Sequence, residues 1–406
     1  MRSVSAAQRP TYDAAQAAFL PGLTQIADTT TVEFEIIDAP PNTTAGFTAF
    51  GSSTALQQTQ TYYTTSAEAA AFFSSFDLVS SQFASRVDGL QRIDVPSSFA
   101  LNATSAPEDI VEFEHRLYVS DIATGAILSI DLFDQAAGAT TFVAPEDPAA
   151  ALPTTWGLRI DAPRRRLLVN ANPNYGFDGN VSAPCELRAY DLATGALVDA
   201  WPLPEGTVGN AVVVDSSGLY YVGDIGPDTR IIRVDPDSDE VVVWADDASQ
   251  TIWPDGGFGL GGIVYNSSDS IYGVASAGDI LFRIEVRADG TPGPIERVNV
   301  VDADGNTFTG FAADGMTWAP DGTLLYALND AGVTGANGII YQVDFSSSTA
   351  GTIRPVQTEL KDPSGVFATQ VLGASYVFVN ESQLGHAFGA DEGAPTVPFR
   401  VLAFPR

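Results

Sequence analysis

A strand-turn-strand pattern recurs from Pro107 to the end of the chain, and its spacing restricts the fold more than any other feature. It is plainest in residues 312–345, AADGMTWAPDGTLLYALNDAGVTGANGIIYQVDF. There the run Gly315–Ala319 meets Pro320-Asp321-Gly322, followed by a second run, Thr323–Leu328, a polar loop and a third run, Ile339–Val343. Proline presets φ and glycine accepts positive φ, so Pro-Asp-Gly suits a tight turn. Short apolar runs divided by such turns read as antiparallel strands. PEDIVEF and HRLYVSD open an earlier unit, and TWGLRID with RRLLVNA, GNAVVVD with LYYVGD, and LGGIVYN with SIYGVAS open the next three. FATQVLG and SYVFVNE open the last.

The corresponding first-strand positions are Glu108, Trp156, Asn210, Gly261, Asp314 and Thr369. They lie roughly 50 residues apart, the period of four-stranded propeller blades. One such sheet cannot bury both of its faces, whereas six packed around an axis can. The expected fold is therefore all-β, a six-bladed β-propeller over residues 106–406. The sixth unit shows only three strands, the last being FRVLAF. An open ring would leave an exposed edge, so a strand from the N-terminal region, either Thr31–Ile37 or Leu90–Val95, is expected to close it. Residues 1–105 read as an extension packing on the propeller and containing one or two short helices. Tyr12–Leu20 is one candidate, stopped by Pro21-Gly22, and Ala67–Phe76, capped by Ser66, is the other. The polar stretch Pro40–Thr65 reads as a long loop.

Composition narrows the partners. The formal charge is −31, from 50 acidic against 19 basic residues. Such a surface repels phosphate backbones and anionic membranes, so neither nucleic acid nor a membrane is an expected partner. No apolar stretch reaches the length of a membrane span. Lys361 is the only lysine and Cys185 the only cysteine, so no intrachain disulfide can form. Cys185, between Pro184 and a strand, reads as an inert structural thiol. Asn-x-Ser/Thr sequons at Asn42, Asn102, Asn180, Asn266 and Asn380 point to a secreted glycoprotein, although no signal peptide is evident. The sequence leaves the oligomeric state open.

In a propeller the first strands start beside the axis, so their early side chains meet although they are distant in sequence. Glu108 and Asp314 are carboxylates and Asn210 an amide, the hard-oxygen set that Ca2+ prefers. Asp121, Asn170, Asp224 and Asn329, at the ends of second strands, are further oxygen donors, and Trp156 and Thr369 are neutral neighbours. Asp109 is expected to point to the opposite face of its strand and away from the channel. His115 and His386 are the only histidines, so a His-rich zinc or iron centre is excluded by count. His115 reads as part of a hairpin. His386, in a late loop, is a candidate proton carrier at the mouth. No Gly-x-Ser-x-Gly nucleophile elbow is present. A divalent cation polarising a carbonyl, with a carboxylate taking a proton from water, remains chemically coherent without histidine. Glu108 and Asp314 are the catalytic candidates.

PEDIVEF with LYVSD, GNAVVVDSSGLYYVGD, GLGGIVYNSSDSIYGVA and ADGMTWAPDGTLLYAL resemble the blade openings of the senescence-marker-protein/gluconolactonase family, and in particular its secreted fungal-type relatives. The likeness runs from about Pro107 to Pro405. It implies a six-bladed propeller, a central divalent cation held at the positions of Glu108, Asn210 and Asp314, and hydrolysis of a lactone or ester. The chain departs from the pattern in the fourth unit, where Gly261-Gly262-Ile263 replaces an Asn-Gly-Ile and removes an amide ligand. The primary expectation is a Ca2+-dependent hydrolase of a small lactone or ester. The alternatives are a non-catalytic propeller that binds a ligand or partner, and a lyase, isomerase or condensing enzyme of natural-product metabolism, similar to strictosidine synthase.

Overall fold

Alternating branched and aromatic residues, punctuated by turn formers, give six sheets from Val95 onward. The computed structural model describes residues 31–37, 45–53, 56–64, 95–101, 105–132, 134, 137–145, 153–173, 184–226, 228–248, 251–253, 259–266, 268–311, 313–328, 338–371, 374–383 and 396–406. Two units are distinguished, Met1–Asp94 and Val95–Arg406. In the first, Thr31–Ile37, Ala45–Ser53 and Leu56–Thr64 form an antiparallel sheet. The stretch Pro40–Thr65, expected to be a loop, thus contains two strands. Its Thr, Phe and Tyr content favours extended backbone more than its glycines oppose it. The expected helices, Tyr12–Leu20 and Ala67–Phe76, lie outside the described residues.

The second unit is the six-bladed propeller. Its first strands are Pro107–Phe113, Pro153–Asp161, Gly209–Val214, Leu260–Asn266, Ala313–Trp318 and Pro363–Val371. Each packs against the first strand of the next blade, and the sixth returns to the first, closing the ring. First and second strands are joined by tight turns. In blade one Glu114 and His115 both have positive φ, and His115 N donates to Glu112 Oε1 at 2.7 Å. In blade three Gly218 supplies the positive φ, and Asp215 Oδ1 accepts from Ser217 N and Leu219 N. A fifth strand, Asn299–Val301, pairs in parallel with the outer strand of blade five.

Every first strand carries a β-bulge at the same place, near its start. Two of its residues there oppose one residue of the second strand. Glu108-Asp109 faces Ser120, Trp156-Gly157 faces Asn170 and Asn210-Ala211 faces Gly223. Gly261-Gly262 faces Val274, Asp314-Gly315 faces Ala327 and Ser364-Gly365 faces Asn380. A bulge bends its strand and re-aims side chains. It also brings neighbouring blades together. A Cβ on Gly157 would overlap the carbonyl oxygen of Asn210, and one on Gly262 or Gly315 would overlap that of Asp314 or Ser364. A Cβ on Gly365 would sit 2.8 Å from Glu108 O. Glycine occupies the second bulge position in these blades because the next blade's backbone takes the space a side chain would need.

Two expectations are corrected here. The residue of blade six that corresponds to Glu108 and Asp314 is Ser364, not Thr369. Thr369 lies further along the strand, where its hydroxyl donates to Glu112 Oε2 at 2.9 Å. The strand that completes blade six is Ser98–Ala100, paired antiparallel with Arg400–Pro405. Thr31–Ile37 belongs to the N-terminal sheet, and Leu90–Val95 precedes the pairing segment. Apolar anchoring explains the choice, because Phe99 and Leu101 are buried among Ile110, Leu117, Phe378 and Val401 at the junction of blades six and one.

One sequon is also reassigned. Asn380 is fully buried in the second strand of blade six, with Glu381 and Ser382 buried beside it, so it offers no accessible glycan acceptor in the folded chain. Asn266 Oδ1 accepts from Ser268 N and Ser270 N in a turn.

The bulge contacts predict a sensitive position. Gly157→Ala is expected to destabilise the propeller by about 3 kcal/mol, because neither the new Cβ nor the Asn210 carbonyl can yield without moving a strand. Urea denaturation of the two proteins measures this, and equal midpoints would contradict the close-packed hub.

Candidate metal and substrate site

The bulges decide which side chains reach the axis. Glu108, Asn210 and Asp314, each the first bulged residue of its blade, line a single axial cavity of about 30 Å³. That is enough for an ion or a water molecule. Asp109, Arg159, Gly261, Met316 and Phe367 complete much of its wall. Asp109 was expected on the far face of its strand. The bulge breaks the two-residue alternation there, so Glu108 and Asp109 both face the cavity. Arg159 is an addition to the expected set. The signal for it was a charged residue inside the apolar strand TWGLRID.

Each of these groups is held by its neighbours. Glu108 is buried, and its Oε2 accepts from Ser120 Oγ at 3.4 Å. Ser120 Oγ in turn accepts from Asp109 N at 2.9 Å. The Glu108 carbonyl is met by Ser364 Oγ of blade six, which also contacts Ser382 Oγ. Asn210 Nδ2 donates to Gly261 O at 2.8 Å, leaving Oδ1 as the amide's remaining acceptor. Asn170 Nδ2 donates to Asn210 O at 2.5 Å, and Asn172 Nδ2 to Gly209 O at 2.7 Å, so blade two positions the Asn210 backbone. Asp109 Oδ2 accepts from Leu158 N at 2.7 Å and Oδ1 from Ile110 N at 2.8 Å.

The charges are crowded. Burial raises the Glu108 carboxyl well above its ordinary value, and the negative charges of Asp314 and Asp109 raise it further. Asp109 is raised from 3.8 to about 6 by burial, against the pull of the two backbone N–H groups and of Arg159. Burial lowers Arg159, and the attraction of Asp109 only partly offsets this. Arg159 is a counter-charge for Asp109. Glu108 and Asp314 repel one another.

The remaining predicted residues sit elsewhere. Trp156 begins the bulge of blade two, but its indole packs with Ala106 and Ile122, and its Nε1 donates to Thr154 Oγ1 at 2.6 Å. Asp224 is buried away from the cavity lining. Its Oδ1 accepts from Val208 N and Gly226 N, and its Oδ2 from Arg230 Nε at 2.9 Å. Asp121 plays the same part in blade one, accepting from Ala106 N at 2.9 Å. These aspartates tie the approach to a first strand to the end of the second strand beside it. Asn329 and His386 lie outside the described residues. Cys185 is buried, and burial pushes its thiol up to about 12, which keeps it a neutral thiol at physiological pH.

No family model matches the chain, and no curated protein does. Solved structures do match its fold. Its structural neighbours include six-bladed propellers of the gluconolactonase and senescence-marker-protein family. The major allergen Mala s 1 of Malassezia sympodialis shares 15% identity at a TM-score of 0.54, over 76% of this chain and 96% of that one. A luciferin-regenerating enzyme shares 12% identity at 0.52, over 76% and 94%. Regucalcin from Agrobacterium tumefaciens, described as a calcium-binding protein, shares 16% identity at 0.50, over 75% and 93%. At these identities the likeness is one of fold.

The fourth-blade departure has a local consequence. With glycine at position 261 that blade brings Ile263 but no polar side chain to the cavity, and the Gly261 carbonyl instead orients the Asn210 amide. The acidic half of the cavity is thus built by blades one and five, with blade three supplying the amide.

Crowded carboxyls make stability depend on pH with a definite sign. A carboxyl that holds its proton more tightly in the folded chain stabilises the fold while protonated. That contribution is complete below its unfolded value and is lost as pH rises through its folded value. For Asp109 the window runs from 3.8 to about 6, and the loss is on the order of 3 kcal/mol. In chelator, the melting temperature is therefore expected to fall as pH rises from 4 to 7. Glu108→Gln is expected to flatten that fall and to be more stable than the parent at pH 7. Parallel profiles for the two proteins would contradict the crowding.

Proposed function

We propose that the axial cavity binds a divalent cation, Ca2+ in the first instance, and that the protein hydrolyses a small lactone or ester at that site. The observation that carries this reading is the convergence of two carboxylates and an amide, Glu108, Asp314 and Asn210, on one cavity of ionic size. Their chemistry fits a hard cation, which takes carboxylate and amide oxygens. Among the described residues no three His, Cys, Asp or Glu side chains are gathered for a metal; in this reading the Asn210 amide is the third protein donor. The excess negative charge that raises the Glu108 carboxyl is the charge a cation neutralises. The fold likeness to a calcium-binding regucalcin agrees with this choice of ion.

A bound Ca2+ supplies Lewis-acid polarisation of the substrate carbonyl. The chain's own residues do the rest. Asp314 and Asn210 set the position of the reacting group relative to the cavity wall. Glu108, which lines the same cavity, takes the proton of the attacking water as the water oxygen bonds to the carbonyl carbon. It returns that proton to the leaving oxygen when the ester C–O bond breaks. The cavity is too small for a whole substrate, so the rest of the molecule occupies the mouth of the channel. The sequons at Asn42, Asn102, Asn180 and Asn266 support an extracellular setting.

Ca2+ at millimolar concentration is expected to raise the melting temperature, and Asp314→Asn to abolish the rise. On a panel of lactones and aryl esters, Glu108→Gln is expected to lower kcat/KM at least about a hundredfold. Absence of any shift with Ca2+, Mg2+ or Mn2+ would refute the metal reading. A shift with no turnover on the panel would favour a binding propeller.

A further inference from the structure

Arg159 is the one charged residue at its level of the channel. The equivalent position in the other blades, three residues beyond the first bulged residue, holds Val111, Val213, Val264, Thr317 and Phe367. A guanidinium carries five N–H donors and no acceptor. Half-buried in a cavity wall, it is stabilised by acceptors that replace the part of its water that it has lost. Other arginines of the propeller find them: Arg164 with Asp161, Arg230 with Asp224, Arg283 with Glu296 and Arg400 with Glu381. The Arg159 guanidinium donates no hydrogen bond and closes no ion pair of 4 Å or less among the described residues. Asp109, the carboxylate that attracts it, already has both oxygens on the backbone N–H groups of Leu158 and Ile110.

We propose that Arg159 binds the carboxylate of a small anionic ligand in the axial channel. The planar guanidinium matches a carboxylate with two parallel N–H···O bonds, which makes it a recognition group for that shape and charge. Resting on the hydrolase reading above, the inference narrows the substrate to a lactone or ester that itself carries a carboxylate. Its carbonyl lies toward Glu108, Asn210 and Asp314, its acidic group meets Arg159, and the rest of the molecule lies outside the cavity. A neutral substrate leaves the guanidinium unpaired and is discriminated against for that reason.

Acetate and acetamide, nearly identical in shape and different in charge, test this directly on the full chain. Binding is followed by calorimetry at fixed ionic strength, with the response to Ca2+ read on the same samples. Acetate is expected to bind the parent protein and acetamide not to. Arg159→Met is expected to weaken acetate at least about tenfold, and Arg159→Lys, which keeps the charge and loses the fork, to fall between. Should Arg159→Met fail to fold, the parent-to-lysine difference is the deciding comparison. Acetate without effect on the parent, or bound equally by parent and variants, overturns the proposal. Acetate binding that depends on Arg159 in a protein indifferent to Ca2+ sinks the metal reading and leaves this one standing.

Discussion

The close approach of neighbouring bulges around the axis is the contact on which the rest of the propeller depends. A radial stack of sheets is held together by apolar faces such as the cluster of Val264, Tyr272, Met316 and Tyr326 between blades four and five. Those faces are tolerant of small slips. The hub is not, because the carbonyls of Asn210, Asp314, Ser364 and Glu108 each lie where a side chain of the preceding blade would otherwise be. Glycine at the second bulge position lets the backbones meet, and hydrogen bonds from Asn170, Asn210 and Ser364 then fix the spacing. The bulge thus serves architecture and chemistry together. It seats the blades, and it sets Glu108, Asn210 and Asp314 in the wall of one cavity.

The electrostatics follow from that geometry. Two carboxylates brought to the same small cavity repel, and burial removes the water that would screen them. The folded chain stores this repulsion because six sheets' worth of apolar burial holds the ring closed. The protein answers part of the charge itself, with Arg159 opposite Asp109. Glu108 keeps the repulsion of Asp314 and Asp109.

Much of this was legible from the residues. The spacing of Glu108, Asn210, Gly261 and Asp314 placed them at equivalent positions because each unit repeats the same strand lengths and turns. The sixth unit was misaligned because PSGVFATQV contains no polar residue as conspicuous as Glu108, and Ser364 was passed over for Thr369. The ring-closing strand escaped for a similar reason. Ser98–Ala100 is three residues long, too short to alternate, and its place is set by Phe99 and Leu101 packing on distant strands. Asp109 was assigned to the wrong face, and Arg159 was passed over, because simple alternation assigns faces by counting, and a bulge changes the count. The same limit applied to the sequon at Asn380, whose burial is a tertiary property.

The central claim is that the three first bulged residues of blades one, three and five form one cation site. Diffraction from crystals soaked in Mn2+, recorded at the manganese absorption edge, tests it most directly. The account predicts one strong anomalous peak on the propeller axis, bonded by oxygens of Glu108, Asn210 and Asp314 and lost in crystals of Asp314→Asn. Density free of any anomalous peak at the axis, with the three side chains ordered, would contradict it.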